Sequence, residues 1–421
     1  MADARLIEGA RALVPSLAER AAATEAARCV PAETAAAFHR TGILRALQPR
    51  RFGGAQARFD VFSEIVEVLA EGCSSSAWVY AVLGEHQWIL ACMPEQAQVD
   101  VWGDTPDAVA SSSLAPRNLA VPCAGGWRVD GKFPFSSGCD HAQWAILGAR
   151  AEDSAGNRPT RYMLVPMEEI EILDDWHVLG LRGTGSRTLL VRDVFVPAHR
   201  TVLLKDLLDG TTPGAAVHPD YSLLRAPRGF LVPFSLPGVT FSLARRALAM
   251  VPASLRSRLS RGTRDLGESE VVQMQLAEAG AEIDLANLIM HARRDESMAL
   301  LDSGQQIPIE AAMRNRRDIS FAAELLRRGV ERLAELSGSR MVHDSDPLQP
   351  ILRDVLTIAT HAVVLRHINY VPYGRAMLGL PPAVGETSLW HKLLTPWPIP
   401  VMAGPRVRHD VGSAASRGAI G

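Results

Sequence analysis

Two short runs near the middle of this chain decide its fold: Phe135-Ser136-Ser137-Gly138 and Trp176-His177-Val178-Leu179-Gly180-Leu181-Arg182-Gly183-Thr184-Gly185-Ser186. Both runs lie in strand-like sequence, and long helix-like sequence flanks them on each side. Serine, threonine and glycine at strand ends let a backbone approach a flat ligand closely. One compact β block inside a helical chain therefore predicts a flat ligand held between a sheet and helices.

Outward from these runs, the pattern changes from helical to strand-rich and back to helical. Two alanine-rich helices are predicted between Leu6 and Leu47, and helical spacing resumes over 60–83. Turn residues then separate five predicted strands, at Ala110–Leu114, Trp127–Val129, Trp144–Ala149, Tyr162–Val165 and Thr188–Val196. After Phe230, apolar residues recur at helical spacing, which predicts long helices over 268–302, 319–333 and 351–370.

The sequence thus predicts an α+β protein that is mainly α. We expect an N-terminal helical domain over 1–107, a central β domain over 108–215 and a C-terminal helical bundle over 216–380. A proline- and glycine-rich tail follows over 381–421.

The composition is that of an ordinary globular protein, with 421 residues, 47% hydrophobic and 21% charged, and a net charge of -2. This balance gives no attraction for nucleic acid or an anionic membrane, so neither is expected as a partner. The N-terminus has no apolar signal core, and no apolar run is long enough to span a bilayer. The five cysteines lack metal-binding spacing. We therefore expect a cytoplasmic protein with reduced thiols and no metal site.

Further motifs follow one another in a fixed order. They are Ser76-Ala77-Trp78 followed by His86, Trp127-Arg128-Val129-Asp130-Gly131-Lys132, the two runs quoted above, Phe195-Val196-Pro197, and Leu348-Gln349 with Arg353-Asp354 and His361. Together they resemble the acyl-CoA dehydrogenase superfamily over residues 5–380. Within it they resemble the oxygenase components of two-component flavin-dependent monooxygenases, of the 4-hydroxyphenylacetate and steroid-phenol hydroxylase type. The resemblance implies an acyl-CoA dehydrogenase-like fold with a β-barrel-like central domain, a C-terminal four-helix bundle and assembly as a homotetramer.

The resemblance also implies an activity. Reduced FMN or FAD, bound in dissociable form, would come from a separate flavin reductase. With O2 as co-substrate, a C4a-hydroperoxyflavin would then hydroxylate a small aromatic, phenolic substrate. A separate reductase is expected because the chain shows no nicotinamide-binding motif, and the glycine-rich turn at 180–186 does not supply one. A strand follows this turn, whereas the dinucleotide-binding fingerprint requires a helix N-terminus.

The same resemblance assigns roles to single residues. It places at the flavin Trp78, Ser112, Ser136, Ser137, Gly138, Trp176 and His361. It places at the substrate His86, Ser112 and Arg228, and it makes catalytic His86, Ser112 and Ser137. An imidazole beside a phenolic oxygen is suited to accept its proton, because the imidazole pKa lies near neutrality. Three serines in a row at 111–113 leave the register of Ser112 open by one.

Each assignment has a structural alternative. Ser137 would suit a plain β-turn, Trp78 and His361 would suit a packed core, and Arg228 would suit the surface. We expect His86 to close its helix, where it would cap carbonyls if it had no catalytic role. His361 is expected on a helix of the C-terminal bundle.

The activity has alternatives as well. N- or S-oxygenation on the same fold needs no deprotonated phenol. An acyl-CoA dehydrogenase-like enzyme needs a carboxylate base, and the chain has no glutamate between Glu335 and Glu386. Glu268 or Glu270, on an earlier helix, would have to serve instead. A non-catalytic subunit with the same fold would need none of these groups.

Overall fold

The computed structural model describes residues 2–153, 156–256 and 266–380. Along this part of the chain, five α-helices precede seven β-strands, and eight further α-helices follow. The tail predicted over 381–421 lies outside the described residues. No helix within the described ranges has the length and apolar character needed to cross a membrane.

The helices before the sheet bring one buried helix to the centre of the molecule. Helices α1 to α5 span Ala2–Ala27, Ala32–Thr41, Phe59–Gly72, Ser74–Ala91 and Glu95–Trp102. The two predicted alanine-rich helices are confirmed as α1 and α2. The pattern over 60–83 is interrupted at Cys73, whose backbone is extended with φ -151° and ψ 117°. Helix α4 is buried on nearly every side, and its polar residues therefore lie inside the protein.

All seven strands belong to one sheet. Strands β1 to β7 span Ala110–Cys123, Gly126–Ser136, Trp144–Ala151, Thr160–Pro166, Ile170–Leu173, Arg187–Pro197 and Thr201–Leu203. Their order is β5-β6-β2-β1-β3-β4-β7, with β1 and β3 parallel and the other pairs antiparallel. The five predicted strands are confirmed. The edge strands β5 and β7 were not predicted, because four and three residues are too few to show an alternating pattern.

The sheet separates two apolar cores. Along β3, Ile146 joins the large core shared with the helices, whereas Ala145 and Leu147 point to the opposite side. This alternation follows from the two-residue period of a strand. The second core is built almost entirely from the sheet's own residues, and Leu147 and Val191 are fully buried in it. The sheet therefore curls around its own apolar face, which makes it barrel-like.

The helices after the sheet form the C-terminal bundle. Helices α6 to α13 span Leu204–Asp209, Pro213–Val217, Arg228–Leu231, Pro237–Arg256, Glu270–Asp302, Ile309–Ser337, Leu348–Ile358 and Arg366–Met377. Helix α11 packs against α9, α10, α12 and α13. The single helix predicted over 351–370 is wrong. At Thr360 and His361 the backbone N–H groups bond three residues back instead of four, and these tight turns end α12.

Candidate active site

The Phe-Ser-Ser-Gly run ends β2 in a sharp change of backbone direction. Phe135 and Gly138 have positive φ angles of 65° and 69°. A Cβ atom on Gly138 would lie 2.8 Å from the Val79 side chain of α4, so only glycine permits this close approach. The run therefore brings the Ser137 side chain against the buried helix.

Ser137 begins a chain of hydroxyl groups whose direction can be assigned. Thr184 donates to the Leu181 carbonyl at 2.9 Å, so its oxygen accepts from Ser186 at 2.7 Å. Ser186 in turn accepts from Ser137 at 2.6 Å. The Trp78 indole N–H donates to Ser137 Oγ at 3.2 Å. A hydroxyl oxygen has two lone pairs, so these contacts leave Ser137 one lone pair that can accept another N–H.

Trp78 and His361 border Ser137. Their ring centroids lie 5.3 Å apart at an angle of 84°, an edge-to-face contact. Protein surrounds His361, although its side chain remains exposed to water in the single chain. This burial, together with the charge of Arg228, lowers the pKa of His361 to about 4. We call Trp78, Ser137 and His361 the Trp78 site.

His86 is held by two hydrogen bonds that fix its tautomer. Its Nδ1 lies 2.6 Å from the Ala110 carbonyl, which only accepts, so Nδ1 carries the proton. Its Nε2 is then a bare acceptor, and Ser112 donates to it at 3.0 Å. Burial lowers the pKa of His86 to about 4, with the charge of Arg228 contributing. His86 is therefore neutral, and its Nε2 is a hydrogen-bond acceptor beside a serine hydroxyl. Its pKa is lower than the near-neutral value expected from the sequence, so it is a weaker base than a free imidazole.

Arg228 and Glu85 complete the surroundings of His86. Arg228 starts the short helix α8, and its Nη2 lies 3.9 Å from the Glu85 carboxylate. Ser235 donates to the other Glu85 oxygen at 2.5 Å. Burial raises the pKa of Glu85, although both of these partners favour the ionised form. We call His86, Ser112, Arg228 and Glu85 the His86 cluster.

Asp354 connects the glycine-rich turn to two helices. It lies on α12 and accepts the Leu181 backbone N–H at 2.6 Å and the Ser74 hydroxyl at the start of α4. Leu181 has a positive φ of 52°, so the turn needs this anchor to keep its shape. Burial raises the pKa of Asp354 to about 6.

Comparison with known proteins identifies the family. A model described as "Acyl-CoA dehydrogenase, C-terminal domain" matches residues 238–366. The oxygenase subunit HsaA of a flavin-dependent monooxygenase from Rhodococcus jostii (strain RHA1) is 36% identical over 376 residues, which cover 88% of this chain and 97% of that protein. The chain belongs to the oxygenase components of flavin-dependent monooxygenases.

Two further relatives agree with this membership. The oxygenase component of the FADH(2)-dependent resorcinol hydroxylase from Rhizobium sp. (strain MTP-10005) is 35% identical, covering 85% of this chain and 90% of that protein. The crystal structure of the HsaA monooxygenase from M. tuberculosis superimposes with a TM-score of 0.85 at 34% identity, covering 91% and 100% of the two chains. This oxygenase component is therefore an enzyme whose flavin is reduced by a separate reductase.

Two predicted positions in the oxygenase component need correction. His86 does not close its helix, because α4 continues to Ala91 and Trp88 anchors that extension by donating to the Leu223 carbonyl at 3.1 Å. His361 lies in the turn after α12 and not on a helix. Its Nδ1 accepts the Val363 backbone N–H at 3.3 Å, which stabilises the turn.

The serine register is resolved by the strands. Ser112 points toward His86, whereas Ser111 accepts from Ser136 at 3.0 Å and Ser113 donates to the Pro134 carbonyl. Ser136 is thus fully buried between β1 and β2 and lies outside the Trp78 site.

The contacts of Trp176 are with residues other than those of the Trp78 site. Its indole donates to the Leu181 carbonyl at 3.2 Å, and its ring meets the exposed Phe135 ring edge-on at 6.1 Å. Trp176 therefore supports the glycine-rich turn from its outer side.

Several residues at the site were not predicted. The sequence places Ser186 and Thr184 in a glycine-rich turn and Asp354 in a family motif, but it predicts no role at the site for any of the three. Glu85 gave no signal, because its partner Arg228 is distant in sequence. The alternative bases are both exposed, Glu268 in the turn before α10 and Glu270 at its first residue, which does not suit a carboxylate that must remove a proton in a dry site.

The Trp78 site fits a reduced flavin. The unused lone pair of Ser137 suits the N–H that reduced flavin carries at N5. Gly138 keeps the strand end close to α4, and the Trp78 and His361 rings offer flat borders. Ser137 is only 6% exposed, so a bound ring would have little competition from water.

Proposed function

We propose that this oxygenase component hydroxylates a phenol at a carbon next to its hydroxyl group. The observation that carries this proposal is the unprotonated Nε2 of His86, which lies inside the protein and accepts a hydrogen bond from the Ser112 hydroxyl at 3.0 Å. A phenolic hydroxyl placed between them would donate to Nε2 and accept from Ser112. Both of its hydrogen-bonding capacities would then be satisfied.

The same pair prepares the ring for oxygenation. As the phenol proton moves to Nε2, negative charge spreads from the oxygen onto the neighbouring ring carbon, which becomes the nucleophile. The His86 Nδ1–H bond to Ala110 holds the imidazole in place while Nε2 receives the proton. The positive charge of Arg228 stabilises the phenolate. N- and S-oxygenation need no deprotonated phenol, so they would not use the His86–Ser112 pair.

Reduced FMN or FAD, when bound, supplies the activated oxygen atom that the substrate takes up. Ser137 would accept the N–H of the ring, and the chain through Ser186 and Thr184 would keep its hydroxyl hydrogen turned away. Trp78 and His86 are eight residues apart on α4, about 12 Å along the axis, so one rigid helix would set the spacing of flavin and phenol. The FADH(2)-dependent relative supports FAD as a partner.

The proposal is tested without a reductase. Protein loaded anaerobically with chemically reduced FMN or FAD is mixed with O2 and a phenol such as resorcinol, and hydroxylated product and H2O2 are quantified. We expect product from wild type, and at least tenfold less from Ser112→Ala with a matching rise in H2O2. Ser113→Ala, on the opposite face of β1, is the matched control. Complete conversion of the oxygen to H2O2 with every phenol tested would overturn the proposal.

We also propose that the chain forms a homotetramer. Helix α10 exposes Val271, Met274, Leu285 and Leu288, each more than 45% accessible. Because a helix turns by about 100° per residue, these four positions share one side of α10. An apolar stripe of this kind on a long helix is typical of an interface between subunits.

A further inference from the structure

Glu85 is a buried carboxylate for which the proposed hydroxylation has no use. It follows Gly84 on α4, directly before His86, and is only 5% exposed. Burying an ionised carboxylate is costly unless it is paired and hydrogen-bonded. Here Ser235 donates to one oxygen at 2.5 Å, and Arg228 lies 3.9 Å from the other. Glu85 therefore acts as the counter-ion of Arg228.

Arg228 is in turn the cation that both histidines experience. Its charge contributes to lowering the pKa of His86 and of His361, and among the described residues no other ionised side chain contributes to either shift. Its guanidinium also lies 5.9 Å from the Tyr162 ring centre. Since both histidines are neutral at ordinary pH, the charge of the His86 cluster is that of Arg228 and Glu85 together, which cancel.

We propose that the Glu85–Arg228 pair makes the substrate site electroneutral and so selects phenols that carry no carboxylate or other second anionic group. This inference rests on the proposed phenol hydroxylation and narrows its substrate class. Glu85 acts through Arg228 and is a specificity-determining residue, not a catalytic one.

The physical reason is competition for one cation. A substrate carboxylate entering the site must lose its water, and this cost is recovered only if a cation inside is available to it. Arg228 already faces Glu85, so the incoming carboxylate would meet a like charge at the same place. An uncharged phenol pays neither penalty. When its own hydroxyl loses a proton, that proton stays on His86, so no net charge enters the site, and the charge of Arg228 still acts on the phenolate.

The test compares matched phenols that differ only in charge. One pair is 4-hydroxyphenylacetate with 4-hydroxyphenylacetamide, and the other is 3-hydroxybenzoate with 3-hydroxybenzamide. Binding to the flavin-free protein is measured by calorimetry, and kcat/KM for hydroxylation is measured with reduced flavin. We expect wild type to favour the amide in both pairs by about tenfold or more. In Glu85→Gln, the incoming carboxylate no longer meets the like charge of Glu85, and the preference should fall by about tenfold or reverse.

A control separates specificity from damage to the fold. Glu67→Gln removes another buried carboxylate that pairs with arginines, at 3.0 Å from both Arg245 and Arg294, on a different helix. It is expected to leave the amide-to-carboxylate ratio unchanged, because general destabilisation affects both members of a pair alike.

The outcomes distinguish a failure of the proposed selectivity from a failure of the proposed function. A wild-type protein that hydroxylates both members equally, or prefers the carboxylate, overturns the selectivity while leaving the phenol hydroxylase in place. A ratio that does not move in Glu85→Gln does the same. If no member of either pair is bound or hydroxylated and resorcinol also fails, the proposed function itself is wrong.

Discussion

At the scale of single residues, the tautomer of His86 determines what the site can do. Its Nδ1–H is committed to the Ala110 carbonyl, so only Nε2 can take a proton from a substrate. Replacing His86 by Asn removes that acceptor. We expect hydroxylation to fall by about 10²-fold or more, the usual loss for a positioned base, while oxidation of reduced flavin continues and yields H2O2. The ratio of product to peroxide measures this effect. His343→Asn, at an exposed position after α11, should keep the wild-type ratio.

The pH dependence follows from the same histidine. Burial lowers the pKa of His86 from 6.5 to about 4, so the imidazole stays neutral and able to accept a proton well below pH 6. The acid limb of kcat/KM is therefore expected near pH 4 to 5 and not near 6.5. A pH series under conditions in which circular dichroism shows the protein folded provides the measurement. An acid limb at 6.5 would mean that His86 is not the proton acceptor, or that it is exposed when substrate enters.

Ser137 gives a separate prediction at the flavin. Ser137→Ala removes the lone pair that we propose accepts the N–H of the reduced ring, and it removes the first member of the hydroxyl chain. Phenol binding to the flavin-free protein should be unchanged, because His86 and Ser112 remain. Peroxide release should rise at least tenfold relative to product, as expected when one preorganised hydrogen bond is lost. Ser113→Ala serves as the reference, and equal peroxide yields in the two variants would contradict the assigned role.

At the scale of elements, Asp354 joins α12, α4 and the glycine-rich turn. Asp354→Ala leaves the Leu181 N–H and the Ser74 hydroxyl without their acceptor, which should cost about 1–3 kcal/mol and lower the Tm. The folded pKa of about 6 lies above the ordinary 3.8, so the contribution of Asp354 is full below pH 3.8 and declines as pH rises through 6. The Tm deficit should therefore be larger at pH 5 than at pH 8. Asp284→Ala, exposed on α10, should show neither the deficit nor its pH dependence.

The sequence predicted those elements whose local pattern is long enough to read. Helices α1, α2, α10 and α11 have sustained periodicity, and five strands have alternating or apolar runs between turn residues. The end of α4 was misplaced because the polar Glu85-His86-Gln87 segment resembles a helix end. These polar side chains can be buried because residues of β1 and α8 pair with them inside the protein. The sequence of α4 alone does not show those partners.

The break before α13 was missed for a related reason. Residues 351–370 keep an apolar pattern suited to one helix, and the turn at His361 depends on its own side chain bonding the Val363 N–H. Such a side-chain contact is local, but no residue spacing in the sequence predicts it. Likewise, the Ser112–His86 contact was predicted only through the family resemblance, because the register of three adjacent serines depends on how β1 pairs with β2 and β3.

At the scale of the whole molecule, the exposed side of α10 should hold subunits together. Leu288 is 67% exposed in the single chain, the largest value along that stripe. Leu288→Glu places a charge in the proposed interface, where it would be desolvated, and should shift the proposed tetramer to smaller species. Sedimentation velocity measures the change. Val342→Glu, at an equally exposed apolar position after α11, is the control. Identical sedimentation of Leu288→Glu and wild type would remove α10 as the interface.

The edge-on contact between Trp78 and His361 has an optical consequence. A protonated imidazole quenches the emission of a nearby indole, whereas a neutral one does so weakly. With the His361 pKa near 4, the fluorescence of Trp78 should stay constant from pH 8 to about 5 and fall below that. Subtracting the spectrum of Trp78→Phe isolates this signal from the other seven of the eight tryptophans. A flavin ring arriving beside Ser137 would absorb the same emission by energy transfer. The protein would thus carry its own fluorescent reporter beside the proposed flavin site.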